Sequence, residues 1–412
     1  MPNWKRSLIV MSIAQVLVAV GFSMIFPFLP NYVEALGSTT GTSLVFLAGA
    51  VFSVQGFTMM IASPIWGAIA DRVGRKPMVQ RSMFGGAVVI LLMAFARSAE
   101  DLVILRGIQG LITGTVAASS ALIASIAPRE RTGFALGTLQ TALTSGVALG
   151  PIIGGVLADF YGYRAAFVVT SILLLAGGVL VQFGIKEEFS PPNRSRRLAG
   201  MVGDWKHILR TPGVGVTFTA RFTAWLGRGV LVPILPLFMP LLLLDDKLLS
   251  TYTGLVIGVA AASATVSAIY LGNLGDRIGH RSVLIGSATL AMASYVPMAF
   301  VGSAWHLLVL NGIAGIAVGG VMPSLSALLS NVTDSTEVGS AFGLDNAIIS
   351  ASRAVAPLVG VGVASAVAIF ASEAIGYRAA FGAGAVLFFV TILIAIFWMP
   401  AREVASPQNT VD

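Results

Sequence analysis

The chain is expected to fold as an all-α membrane protein, with twelve transmembrane helices arranged as two pseudo-symmetric six-helix bundles. Three observations predict this. Of its 412 residues 56% are apolar and only 10% charged, and the mean hydropathy is +0.89. That leaves too little polar surface for a water-soluble globule of this size. Apolar runs of about 20 residues recur along the chain, long enough for a helix to cross ~30 Å of hydrocarbon. The chain also repeats itself. Gly67, Asp71, Arg72 and Gly74 return as Gly272, Asp276, Arg277 and Gly279, Pro27 and Pro30 return as Pro233 and Pro236, and the hexapeptide from Gly162 to Phe167 returns letter for letter from Gly376 to Phe381. Paired repeats in an apolar chain point to a secondary transporter.

The spans follow in order. The first, 7–30, comes after Trp4, Lys5 and Arg6 and is read as a retained anchor, because no small-residue cleavage site follows it. The second, 42–66, runs into the charged turn from which the third, 78–97, departs. The fourth, 102–125, the fifth, 133–158, and the sixth, 165–184, complete the first bundle, residues 1–185. A polar stretch, 186–212, reads as a linker on the cytoplasmic side, with Trp205 to Leu209 as a short surface helix. The second bundle, 213–412, repeats the pattern at 213–240, 252–272, 281–303, 305–329, 338–370 and 377–399. Long spans accommodate tilt or interfacial turns.

Charge sets the orientation and excludes several functions. Most of the 25 Lys and Arg residues fall on one side of the spans if both termini are cytoplasmic, as the positive-inside rule requires. A net charge of +7 is then explained by loops facing anionic lipid, without a nucleic-acid partner. Absence of cysteine excludes disulfides and thiolate chemistry. No phosphate-binding loop of the Gly-x4-Gly-Lys-Ser/Thr type is present, and no nucleophile–base pair or metal cluster emerges, so an ATP-driven pump and an enzyme are both disfavoured. No cofactor is implied. The three histidines, His207, His280 and His306, fall in loops or at span ends, which disfavours a histidine relay.

Three motifs carry a resemblance. The turn Gly67, Asp71, Arg72, Gly74, Arg75 and Lys76 resembles the G-x-L-A-D-R-x-G-R-K loop of the major facilitator superfamily, with Ile69 in place of leucine. The resemblance implies that Asp71 contacts the start of helix eleven, near Ser335 to Glu337, when the cytoplasmic side is closed; an anion at a helix N-terminus is favourable. Asp276 and Arg277 form the second copy, where His280 replaces the arginine. Gly146, Gly150, Pro151, Gly154 and Gly155 in helix five let helices approach closely. Their pattern is similar to the motif of exporters that exchange substrate for protons. Arg106, Gln109 and Gly110 resemble the R-x-x-Q-G motif of helix four, which implies that Arg106 faces helix one near a coupling site; Glu34 is the nearest plausible carboxylate. Nearly the whole chain is similar to the twelve-helix drug/proton antiporter branch of that superfamily.

A fourth constellation is particular to this chain. Helix seven holds Arg221 and Arg228 at i and i+7, on nearly one face, and Trp225 lies one turn from each. Helix eleven holds Asp345 and Arg353, with Asp345 at the depth of Arg221 and Arg353 at that of Arg228. The first-half equivalents, Gln15, Phe22, Leu139 and Val147, are uncharged. Buried charge at midplane marks a transporter site, although a lone Asp–Arg contact could also serve only to lock two helices. Many antiporters of this branch carry an acidic residue within helix one; here Gln15 is the strongly polar side chain there. Asp345 is therefore the first candidate proton carrier, and Glu34 with Arg106 the second. The substrate site is expected to comprise Arg221, Trp225, Arg228, Arg353 and Gln15. The expected function is export of amphipathic small molecules in exchange for protons, by a monomer in the cytoplasmic membrane. A dedicated organic-anion or lipid exporter is the alternative, and a nutrient importer comes third.

Overall fold

In the computed structural model, residues 3–187, 211–243, 245–333 and 338–399 are described. The expected surface helix at 205–209 lies outside them. Twelve helical units span the described residues: α1 (Asn3–Met24, resuming as Leu29–Leu36), α2 (Leu44–Val73), α3 (Arg75–Met93), α4 (Ala99–Ile112 and Thr115–Ile126), α5 (Thr132–Tyr161) and α6 (Tyr163–Gly184). The second half continues with α7 (Val214–Gly229, resuming as Ile234–Phe238), α8 (Leu249–Ile278), α9 (His280–Met298), α10 (Ala304–Val332), α11 (Val338–Ala368) and α12 (Glu373–Phe397). Ten of them are long and apolar enough to cross a membrane. The other two, α3 and α9, are 19 residues each and open on the basic residues of the repeated turn, Arg75 and Lys76 or His280 and Arg281, which dilute their hydropathy.

Three of the junctions are single glycines. Gly74, Gly162 and Gly279 take φ of 102°, 81° and 93°, a region open to glycine, and so reverse the chain without a loop. Elsewhere helices break inside the expected spans. Both α1 and α7 are interrupted beside their repeated prolines, which supply no N–H to the preceding turn. The α4 unit breaks at Thr113 and Gly114 (φ 140°), whereas α10 runs unbroken. The break frees the Leu111 carbonyl, which accepts the Trp66 indole N–H at 2.7 Å. The sequence showed no sign of this break.

Each half packs inside out. Large apolar side chains such as Phe95, Phe183, Phe300 and Phe397 are exposed on the outside, where lipid is the solvent. Inside, the repeated hexapeptide supplies equivalent anchors: Phe167 meets Phe28 edge-on at 5.6 Å, and Phe381 meets Phe238 at 5.2 Å. The face carrying the ends of α6 and α12 (the terminal face) is tied by the repeated turn. Lys76 Nζ donates to the Gln182 and Ile185 carbonyls at 2.9 and 2.7 Å, and Arg281 donates to those of Ala395 and Ile396 at 2.8 and 2.7 Å. A cation thus caps the C-terminus of the sixth helix in each half.

Candidate functional site

The halves meet along two seams, α2 against α11 and α5 against α8. At the seam glycines, close approach runs from the far ends of these helices to about their middle. A methyl group on Gly49 would collide with Val361, one on Gly56 with Ala354, one on Gly155 with Ser250 and one on Gly254 with Pro151. Toward the terminal face, Gly67 of α2, Gly133 and Gly137 of α5, Gly272 of α8 and Gly343 of α11 have open space. The seams are closed at the far face and splay at the terminal face. The antiporter-like motif lies on one of them. Gly146, Gly150 and Gly154 admit the backbone of α1, while Gly155 and the Pro151 carbonyl face α8 of the other half.

Between the seams, α7 and α11 hold the expected cluster together. Arg221 Nε lies 3.0 Å from Asp345 Oδ1, with both side chains buried, and Arg221 Nη2 donates to Ser326 Oγ at 3.0 Å. The Nε–Oδ1 contact is close but poorly aligned for a hydrogen bond, so its attraction is mainly coulombic. Trp225 stands between two more cations, Arg228 at 5.5 Å and Arg353 at 4.7 Å from its ring centroid. Its indole N–H is buried without a hydrogen-bond partner. Ser352 Oγ donates to the Phe222 carbonyl at 3.2 Å and fixes α11 against α7 beside this group. Three guanidiniums therefore share one described carboxylate, and Arg221 engages it. Gln15 is buried in the first half, and its Oε1 lacks a partner.

The expected pairing of Arg106 with Glu34 does not form. Arg106 is 1% exposed and donates through Nη1 to Gln55 Oε1 at 3.1 Å and Gln109 Oε1 at 2.9 Å. The interruption of α1 carries Glu34 out to the far face, where it is partly covered and partly open to solvent. Partial burial, and secondarily the carboxylate of Glu373, hold the Glu34 carboxyl above the usual range. Arg106 Nε and Nη2 are buried without hydrogen-bond partners, with the guanidinium 5.7 Å from the Phe52 ring centroid, an expensive arrangement within a span.

The first copy of the charged turn is anchored by a residue the motif reading passed over. Glu187 accepts the Arg75 and Lys76 backbone N–H groups at 2.9 and 2.8 Å, capping α3 from just beyond the end of α6 at the terminal face. Arg72 is exposed, as are Asp276 and Arg277, and Asp276 accepts from His280 at 3.1 Å. The side chain of Asp71 and residues 334–337 lie outside the described set, so the expected contact between them is not seen here. Sequence reasoning also missed Gln55, Ser326 and the stack of Arg81 on Trp66 (3.4 Å). Each is an ordinary polar or basic residue until its neighbours are known.

Two six-helix halves with a buried polar centre, closed at one face and splayed at the other, define an integral membrane transporter. The chain belongs to the Major Facilitator Superfamily, whose family model matches residues 11–267 and 217–411. It is 36% identical over 389 residues to the multidrug resistance protein MdtG of Salmonella typhimurium, covering 94% of each chain. It is 35% identical over 412 residues to MdtG of Escherichia fergusonii, covering 98% of this chain and 97% of that one. Its fold matches the crystal structure of a bacterial homologue of the human lysosomal transporter Spinster, inward-facing and unoccupied, with a TM-score of 0.79 at 15% identity over 96% of both chains.

Proposed function

We propose that this transporter exports amphipathic small molecules across the cytoplasmic membrane in exchange for protons. The observation that carries the reading is the buried Arg221–Asp345 pair beside an arginine-flanked tryptophan. Likeness to multidrug resistance proteins over nearly the whole chain supports export of small molecules. The terminal face is then cytoplasmic, in keeping with the positive-inside bias. Asp345 is the proton carrier: protonation dissolves the ion pair and leaves Arg221 without its counter-charge. Loss of the proton restores the pair. Trp225 offers a flat apolar face to the substrate body, and Gln15 a polar contact from the first half.

The test is transport by the purified protein in proteoliposomes under an imposed pH gradient. Substrate movement should follow the gradient in the wild type, and Asp345→Asn should abolish that coupling while the protein still folds. Transport indifferent to the gradient, or wild-type coupling in Asp345→Asn, overturns the proton assignment. A second reading, a dedicated organic-anion exporter, is favoured by Arg228 and Arg353, which have no described carboxylate to balance them.

A further inference from the structure

The turn joining α5 to α6 copies the charged turn joining α2 to α3. Gly155, Ala158, Asp159 and Gly162 match Gly67, Ala70, Asp71 and Gly74 in identity and spacing. Gly162 reverses the chain at positive φ just as Gly74 does. Because α2 descends to the terminal face and α5 rises to the far face, the two turns lie on opposite sides of the membrane.

The Asp159 carboxylate crosses the α5–α8 seam. Oδ1 accepts the Ser250 N–H at 3.0 Å, and Oδ2 accepts the Thr251 N–H at 2.7 Å and its hydroxyl at 2.6 Å. These are the second and third residues of α8, whose own N-cap, Leu248, offers no side-chain acceptor. Asp159 therefore caps this helix from the other half of the molecule, adding an anion to its positive end. The neighbouring cation does not compete: Lys247 pairs with Asp245 at 3.4 Å.

We propose that Asp159 is a state-specific latch, the outer counterpart of Asp71, which stabilises the conformation closed at the far face and must release for that face to open. The inference rests on the alternating-access reading of the fold. The hydrogen bonds span two bodies, and α8 is packed on α10 of its own half, so it cannot follow α5 when the far ends part. Backbone contact at Gly155 and Gly254 brings the seam close enough for the carboxylate to reach. The same device, one acidic residue closing a turn and capping a helix of the opposite half, would then serve each face once.

The chain contains no cysteine, so spin labels can be placed cleanly. Phe95→Cys and Phe300→Cys sit at the far ends of α3 and α9, one in each half, and both residues are well exposed. Double electron–electron resonance between them reads far-face opening. Asp159→Ala should raise the long-distance population roughly five- to thirtyfold relative to the short one. Thr251→Val, which removes one donor and keeps side-chain volume, should shift it in the same direction by less. Asp71→Asn should shift it the opposite way. Distance distributions unchanged in both Asp159→Ala and Thr251→Val overturn the latch. So does a fall in melting temperature without any population shift, which would make Asp159 a structural cap only. The alternating-access reading fails separately, if Asp71→Asn also leaves the pair unmoved.

Discussion

At the scale of single residues, the chemistry concentrates where positive charge outnumbers its carboxylate partners, with Arg221 buried, Arg228 half-buried and Arg353 exposed. Arg221 has Asp345 and Ser326, whereas Arg228 and Arg353 have the face of Trp225. A cation over an aromatic ring gains about 0.5–2 kcal/mol, less than a carboxylate partner gives it inside a protein. On the organic-anion reading, these two cations are where the acid group of the substrate would bind. Arg228→Gln and Arg353→Gln are each expected to weaken binding of an anionic amphiphile by roughly ten- to a hundredfold, the worth of a charge-assisted hydrogen bond. A neutral analogue should be little affected. Titration of both ligands by calorimetry measures the difference, and equal losses for both would remove the charge argument. Arg221, Trp225, Arg228, Asp345 and Arg353 were legible beforehand, because helical spacing alone places them at matching depth. Arg106 was not: its partners are glutamines on α2 and α4, and nothing in the local pattern ranks one amide over a carboxylate.

At the scale of elements, small residues decide how near two helices come. Gly154 lies against the Met24 backbone and Gly155 against that of Ser250, so adjacent positions on α5 serve α1 and α8 respectively. Gly154→Leu forces side-chain atoms into a space occupied by main chain, which cannot rotate away. Overpacking of this kind costs about 1–3 kcal/mol. The variant should melt several degrees lower in detergent; an unchanged melting curve would show that α1 and α5 separate freely. The helix-five motif identified these glycines as a packing surface, but not which partner each one meets. Likewise the apolar run at 102–125 read as one helix. The break at Gly114 leaves the Leu111 carbonyl to the Trp66 indole of α2, a contact between residues far apart in sequence.

At the scale of the whole molecule, the halves move against each other if the two seams exchange their open and closed ends. Phe183 and Phe397 mark the terminal-face ends of α6 and α12, and both are exposed. Labels at Phe183→Cys and Phe397→Cys should approach each other on saturation with a transported ligand. The Phe95→Cys and Phe300→Cys pair should separate under the same conditions. Both pairs lengthening together would describe a loosening of the fold rather than alternation. The membrane class, the duplication and the two-bundle architecture were all readable, because hydrophobic length and repeat spacing are properties of the linear chain.

The sequence by itself determined that this chain lives in lipid, that it is two copies of one six-helix unit, and that helices seven and eleven of the second copy carry three arginines against one aspartate. Only the tertiary structure decided which face is shut, that Glu34 stands apart from Arg106, and that Asp159 reaches across to α8. The physical reason is range. Hydropathy and periodicity act through neighbours along the chain, whereas seams and partnerships arise between residues that folding alone brings together.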